Sequence, residues 1–503
     1  MKLWRFNGGL PALAEHKNES IHLAIETAPL PKQLIYPLSQ HIGAAATASV
    51  NVGDRVLGGQ KIAQANGVIS APVHTASSGT VVSIAEHPIP HPSGLPAPCI
   101  IIETDELDEH LAPSPIEDFR QSPISELINI VREAGIVGLG GAAFPTATKL
   151  DVQNKSSNIQ TLILNGAECE PYISCDDRLL RERAEKVIEG IDILLYILGA
   201  QQAILAIEDN SPETFKAIQK ATAEYANPLI STVKIPTIYP TGGEKQLIKT
   251  LTGKEVPAGH IPADIGIVSL NVGTVYAIQQ AIVEGLPLTT RIITITGDGV
   301  KKPHNLEAKI GTPIKDLIDC CNGYTSVAER LIMGGPMMGF ALPTDEIPIV
   351  KASNCILAAS SQEVATEKDP MPCIRCGQCA SACPASLLPQ QLYWLSRSDQ
   401  FQKAEKLNLF DCIECGCCDI VCPSHIPLVQ HFRYAKSAIK SQRLEKQSSD
   451  KARDRFEARE ARLAQEKAER AERSRKKKEA LKNKEKPTLA TPKAPLPSDN
   501  VEN

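Results

Sequence analysis

Eight of the fifteen cysteines fall in two runs of identical spacing, and no other feature of the chain restricts its fold so tightly. The first run is Cys373-x2-Cys376-x2-Cys379-x3-Cys383, followed by Pro384. The second is Cys412-x2-Cys415-x2-Cys418-x3-Cys422, followed by Pro423. Three thiolates on one tight turn cap three irons of a cubane, and the fourth iron takes a ligand from elsewhere. Where two such runs occur together, each gives its fourth cysteine to the other cluster. The expected ligand sets are therefore Cys373, Cys376, Cys379 and Cys422 for one [4Fe–4S] cluster, and Cys412, Cys415, Cys418 and Cys383 for the other. The exchange staples the two repeats together, and Pro384 and Pro423 stop the chain from continuing as helix through its fourth ligand. Structural zinc usually uses two C-x2-C pairs rather than a triple followed by Cys-Pro, so zinc is the weaker reading. Cys417 lies inside the second run at the wrong spacing and is expected to be a bystander. Cys99, Cys169, Cys175, Cys320, Cys321 and Cys355 lack ligand spacing, and each is expected to be a small buried hydrophobe.

At 503 residues, the chain has room for three or four domains. Hydrophobic residues make up 42% and aromatic residues 4%, which predicts packed but aliphatic cores. The formal charge of -5 gives no reason to expect nucleic acid as a partner. Cysteines grouped at metal-ligand spacing point to a reducing compartment. Residues 1–10 contain no apolar signal core. No stretch reaches the roughly 18 apolar residues of a membrane span; the best candidate, residues 191–200, carries Asp192 and reads as a buried helix. The expectation is a soluble or peripheral protein, held at any membrane by another subunit.

Along the chain, residues 1–40 read as irregular. Residues 41–105 read as short strands between Gly and Pro turns, with two similar pieces at residues 49–56 and 76–83 that suggest a small β sandwich. This module (1–110 with its leading segment) resembles the barrel-sandwich fold of biotinyl and lipoyl domains. Those domains carry an acceptor lysine at a hairpin tip. Lys61, the only lysine between residues 41 and 148, is not in such a tip, so a structural β module is expected. Leu127, Ile128, Val131 and Ala134 form a helical stripe. Strands at 161–164, 203–207 and 231–235 alternate with helices at 176–198 and 211–225, which predicts an α/β domain with a largely parallel sheet over 120–288. A small β-rich unit follows at 289–345, with a strand at 291–296, a helix at 314–320 and a turn at 334–336. The double [4Fe–4S] domain occupies 360–437. From residue 442 the chain is rich in Ala, Glu, Lys and Arg; residues 453–484 read as a solvated helix with i,i+4 ion pairs, its basic run 473–478 included, and 486–503 as disordered.

Gly138-x-Gly140-Gly141-x-Ala143 formally contains G-x-G-x-x-A, but a helical segment precedes it where a Rossmann fingerprint needs a strand, so that reading is rejected. A glycine run still lets backbone N–H groups approach a phosphate or a flat ring, and Lys149 adds charge nearby. Three more segments stand out. Asn165-Gly-Ala-Glu168-Cys-Glu170-Pro171 follows a predicted strand, where open α/β sheets place ligands. Tyr239-Pro-Thr-Gly242-Gly243-Glu244 leads into a helix, and Asn271-Val-Gly-Thr274 closes a short strand.

This set resembles the flavin- and NADH-binding subunit of respiratory complex I, whose glycine loop also continues into Ala, Phe-Pro-Thr and Lys. With the β module ahead and the cysteine runs behind, residues 1 to about 440 resemble the C subunits of Rnf/Rsx electron-transport complexes, and residues 289–345 resemble the ubiquitin-like SLBB domain. The resemblance implies an FMN cradle at Gly138, Gly140, Gly141 and Lys149, with Asn165 and Glu168 beside the isoalloxazine and Glu170 and Pro171 next to the nicotinamide. Tyr239, Gly242, Gly243 and Glu244 would form the second side of the pocket, and Asn271 and Thr274 the phosphate side. Ala167 stands where complex I carries an acid, and Cys169 where it carries a serine. The implied activity passes electrons between NAD(H), FMN and two [4Fe–4S] clusters, because flavin converts a two-electron hydride into single electrons; no side chain need act as nucleophile. The implied complex couples this traffic to ion movement and contains membrane-embedded and ferredoxin-like subunits, with this chain peripheral on the cytoplasmic face of the bacterial inner membrane. Two other readings share the motifs: the NADH-oxidising module of a soluble hydrogenase or formate dehydrogenase, and a cluster-bearing wiring scaffold without a nucleotide site.

Overall fold

A computed structural model describes residues 2–11, 13, 15–151, 158–364 and 369–484. Residues 1–433 and 434–503 form two separate units. The second continues the helix Leu428–Lys484, and every residue from 451 to 484 is exposed. Its local ion pairs include Glu472 with Lys476 at 2.8 Å and Arg453 with Glu457 at 3.8 Å, so i,i+4 attraction stands in for a core, as expected. The expectation of disorder at 486–503 falls outside the described residues. No helix among the described residues is long and apolar enough to cross a membrane.

The β module is two antiparallel sheets. One pairs Gln33–Pro37, Pro96–Thr104, Gly79–Pro88 and Arg55–Val56; the other pairs Thr47–Ala48, Lys61–Gln64 and Val73–His74. The two similar pieces seen in the sequence pair with one another, Arg55 opposite Thr80 and Val56 opposite Gly79. Alternation drives Val56, Ile62, Val73, Val81, Ile100 and Ile102 into the core between the sheets. Lys61 lies in a strand and forms an ion pair with Glu133. The leading segment departs from the irregular reading: Gln33–Pro37 belongs to this sandwich, and Glu26–Thr27 adds a parallel edge strand to the sheet of the third domain.

The α/β domain has four parallel strands in the order Ile230–Ile235, Gln202–Glu208, Thr161–Gly166, Ile267–Asn271. Near-continuous apolar runs in the inner strands fit a sheet covered on both faces. In place of one helix over 176–198 there are two, Cys175–Glu182 and Ala184–Leu198. At the break, the Arg183 guanidinium bonds the Tyr276 hydroxyl and the Glu307 carboxylate. The third domain is built on a six-stranded mixed sheet with Thr290–Thr296 and Cys355–Ala359 at its centre, so the sheet itself extends to residue 359.

Lys351 is buried where the β module, the α/β domain and the third domain meet. Its ammonium donates to the carbonyls of Pro72 at 2.6 Å and Gly135 at 2.7 Å. Burial pushes its pKa from 10.5 down to about 7. The unfolded chain therefore holds one more proton between those values, and wild type gains stability as pH rises through that window. Lys351→Ala leaves two carbonyls unpaired beside a cavity, a loss of about 2–4 kcal/mol at alkaline pH. The deficit should be larger at about pH 9 than at about pH 6, read from urea midpoints. An equal deficit at both values would mean that the two carbonyls keep the ammonium charged throughout.

Candidate functional site

The parallel sheet builds a crevice at one point. The chain leaves Thr161–Gly166 for Gln202–Glu208, continues outward to Ile230–Ile235, and returns on the other side at Ile267–Asn271. Connections from two adjacent strands thus depart in opposite directions, which opens a gap at their carboxyl ends. Asn165 and Asn271 are register partners there. The Asn165 amide donates to the carbonyl of Gly242 at 2.8 Å, and its oxygen accepts from Ala167 N–H at 3.1 Å. Asn271 caps the helix Val272–Gln279 through Gly273 N–H at 2.9 Å, and its amide donates to Asp176.

The glycine loop crosses this gap, preceded by the helix Ile124–Glu133. A β-carbon on Gly140 would lie 3.3 Å from that of Asn271, so the loop packs close on the strand end. Gly141 has φ +101°, a conformation that favours glycine, and a β-carbon there would meet nothing within 4 Å. The loop is clamped at Leu139, whose N–H donates to the Thr274 hydroxyl at 2.9 Å and whose carbonyl accepts from the buried Arg291 at 3.1 Å. Arg291 also donates to the carbonyl of Ser353 at 3.0 Å. Lys149 and Glu244 form an ion pair that joins the helices Thr146–Leu150 and Glu244–Thr252. Gly138, Gly140, Gly141, Lys149, Asn165, Gly242, Gly243, Glu244, Asn271 and Thr274 are thus brought together around one crevice.

The strip 168–171 behaves differently. The Glu168 carboxylate accepts from the N–H groups of Asp176 at 2.9 Å and Asp177 at 3.2 Å, so it sits at the start of the helix Cys175–Glu182. Burial pushes its pKa up, against the pull of Lys17 and with Asp176 adding to the rise. Glu170 accepts from Met337 N–H at 3.2 Å and Met338 N–H at 2.8 Å, and burial pushes it up to about 7. It therefore ties the strip to the third domain. Tyr239 lines a cavity with the strip and reaches the cysteine loops: its hydroxyl donates to the carbonyl of Cys415 at 2.7 Å, and its ring packs with Ala382 and Cys417.

The cysteine runs fold as near-copies. Arg375 and Glu414 take φ of 58° and 59°, and Gly377 and Gly416 take 81° and 76°, so each loop curls back over its own thiols. Two cavities result. Cys383 lines one with Cys412, Cys415 and Cys418; Cys422 lines the other with Cys373, Cys376 and Cys379. Leu387 N–H reaches the Cys383 sulfur at 3.4 Å, a donor suited to a thiolate. Cys417 is buried beside the first cavity. Of the remaining cysteines, Cys99, Cys175, Cys321 and Cys355 are buried as expected; Cys169 is only half-buried, and Cys320 is exposed at the end of the helix Ile314–Cys320, which corrects the expectation for both.

Residue-by-residue reading missed Lys17, Asp176, Arg291 and the 337–338 turn. Arg291 left a trace, as a lone cation opening an apolar strand run. The others have partners far away in sequence and left none.

Residues 131–280 match the Nuo51 FMN-binding domain, 4–107 the RnfC barrel sandwich hybrid domain, 292–341 the SLBB domain and 372–426 the 4Fe-4S dicluster domain. A NAD+-reducing [NiFe]-hydrogenase in its H2-reduced state aligns over 64% of this chain and 62% of its own, with a TM-score of 0.45 and 19% identity, a likeness too slight to bear on function. The C subunit of the ion-translocating oxidoreductase complex of Pseudomonas aeruginosa is 50% identical over 460 residues, 91% of this chain and 59% of that one. Its counterpart in Serratia proteamaculans is 49% identical over 91% of this chain and 64% of its own length, so the chain spans about three fifths of these relatives. The counterpart in Yersinia pestis biovar Antiqua is 47% identical over 92% of this chain and 73% of its own length. With close to half of its residues shared and almost three quarters of that relative spanned, this chain belongs to the RnfC family, the C subunits of ion-translocating oxidoreductase complexes.

Proposed function

We propose that the chain is the peripheral, nicotinamide-side subunit of a membrane-bound, ion-translocating electron-transport complex of the ferredoxin:NAD oxidoreductase type. Electrons pass between NAD(H), FMN and two [4Fe–4S] clusters. One observation carries this reading: the crevice and the second cysteine run are in direct contact, through the Tyr239 hydroxyl on the Cys415 carbonyl and through Met337, which bonds Glu170 and lies against Gly416. Electron transfer weakens steeply with distance, and no other domain intervenes. The relatives' name supports the membrane complex. Membrane-embedded and ferredoxin-like subunits of that complex are the proposed partners, at the cytoplasmic face of the cell membrane.

The residues suit these groups. Gly138, Gly140 and Gly141 offer a backbone cradle with open space at Gly141, and Lys149, paired with Glu244, would add positive charge for the phosphate. Asn165 and Glu168 would hold the flavin ring, Asn271 and Thr274 the phosphate side, and Gly242, Gly243 and Glu244 the second side. Glu170 and Pro171 would border the nicotinamide. Tyr239, on the same second side, also links the pocket to the cysteine loops through its hydroxyl on the Cys415 carbonyl. FMN, when bound, exchanges a hydride with nicotinamide and single electrons with the clusters. The chain's own part is to fix the strip, keep water from it and hold the cysteine loops against it. The cluster held by Cys383, Cys412, Cys415 and Cys418 is the one nearer the crevice; that of Cys373, Cys376, Cys379 and Cys422 is the outer one.

Three measurements test this. In an anaerobic titration of the cluster-reconstituted protein with NADH, flavin absorbance should bleach and cluster absorbance follow. Protein that binds no flavin at all would favour the wiring-scaffold reading instead. Gly242→Val places a β-carbon 2.7 Å from the Ala167 carbonyl oxygen and 3.0 Å from the Cys169 sulfur. It should expel flavin while leaving iron content intact; normal flavin content would refute the pocket. Cys383→Ser should erase the same electron paramagnetic resonance signal as Cys415→Ser, with loss of about half the iron. If it erases the signal lost in Cys376→Ser, the crossed ligand sets are wrong.

A further inference from the structure

Residues 4–11 and 15–20 form a strap that joins the flavin-type domain to the cysteine loops. Trp4 N–H donates to the carbonyl of Thr250 at 2.9 Å, and Gly9 N–H to that of Ala382 at 3.0 Å. Leu10 and Tyr239 exchange two backbone hydrogen bonds, at 2.7 and 3.1 Å, and Glu15 accepts from Tyr172 N–H at 2.8 Å. The next residue, His16, takes φ 49°, a left-handed conformation that His enters more readily than most side chains, and its ring stacks on Tyr172 at 4.6 Å. This kink delivers Lys17 into the protein, where only 7% of its surface stays exposed. Its ammonium donates to the backbone carbonyl of Glu168 and lies 3.7 Å from a carboxylate oxygen of Glu208.

The surroundings are acidic. Glu208 ends the strand Gln202–Glu208, is 2% exposed, and its other oxygen, Oε1, is buried with no hydrogen-bond partner. Glu168 is beside it. Burial works against a charged Lys17, but Glu168 and Glu208 outweigh it and hold the ammonium protonated. A cavity lined by Lys17, Glu168, Cys169, Glu170, Pro171 and Glu208 lies between strap and strip. The cation thus reaches the strip from outside the domain that builds it.

We propose that Lys17 is a positioning residue for the flavin and nicotinamide strip: it tethers the Glu168 carbonyl and supplies the positive charge that offsets Glu168 and Glu208. The proposal rests on the flavin reading above and deepens it. A compensating cation beside the strip favours the more negative, reduced flavin, so its loss lowers the flavin potential. Loss of the tether, a hydrogen bond from a charged donor, frees the strip to open more often.

The test uses the full chain with clusters reconstituted. Lys17→Met should lower the midpoint potential of the bound flavin and speed amide exchange at residues 168–170 by at least about tenfold. Lys17→Arg should restore both. If Lys17→Met does not accumulate folded, Lys17→Met combined with Glu208→Gln removes both charges and should still show the faster exchange. Unchanged exchange in either background overturns the tether, and faster exchange with an unchanged potential or without rescue by Arg overturns the positioning role. Wild-type protein without flavin would sink the flavin reading alone, because exchange at the strip needs no flavin and still decides the tether.

Discussion

Three buried basic side chains fix the backbone of this molecule around its crevice. Lys17, Arg291 and Lys351 are 7%, 5% and 1% exposed. They come from the N-terminal strap, from the first strand of the third domain and from the segment before its last central strand. Each donates to a backbone carbonyl of the α/β domain: Glu168, Leu139 and Gly135 respectively. A charge or donor out of water is tolerated only where well-placed acceptors replace its hydration, so each of these side chains demands one relative placement of two modules. Sliding one module by an ångström would strand the donor, whereas an apolar seam would tolerate the shift.

The same placement orients the glycine loop. Across a planar trans peptide the C=O and N–H point in opposite directions. Arg291 draws the Leu139 carbonyl inward, and the N–H of Gly140 is thereby turned to the opposite side. A row of outward N–H groups is what binds an anion or the edge of a flat ring. The loop's chemistry is thus set by a residue some 150 positions downstream, in a different domain.

That separation explains what the sequence reveals and what it hides. The two cysteine runs, the parallel strands and the glycine loop are legible because their signals are local: ligand spacing, apolar runs between helices, a cluster of small residues. The rejection of a Rossmann reading also rests on local evidence, the helix Ile124–Glu133 standing where a strand would be needed. Lys17, in contrast, sits in a polar stretch that reads as irregular, and its partners lie beyond residue 160. Tyr239 illustrates the same limit. Its motif marks it as part of the pocket wall, but only the fold reveals that its hydroxyl faces Cys415. The Arg183 break is hidden too, since apolar periodicity runs through it and only Tyr276 and Glu307 draw the side chain aside.

The junction between crevice and cysteine loops follows from how the two runs cross. The loop of the second run packs on Tyr239 and Met337, and Cys383, from the first run, lines the same cavity. Ala382, its neighbour, accepts from Gly9 of the strap. The cavity nearest the crevice is therefore held by both repeats and by the N-terminal segment at once. Of the cysteines that line the other cavity, Cys376 is exposed, with Ile374 near it at 68% exposure. In the proposed electron path this makes the inner cluster rigidly joined to the strip and leaves the outer one at the surface. A rigid inner contact keeps the transfer distance to the crevice constant, while an exposed outer ligand lets a second redox protein approach closely. One fold thereby serves a fixed inner contact and an accessible outer one, because the last cysteine of each run lines the cavity of the other.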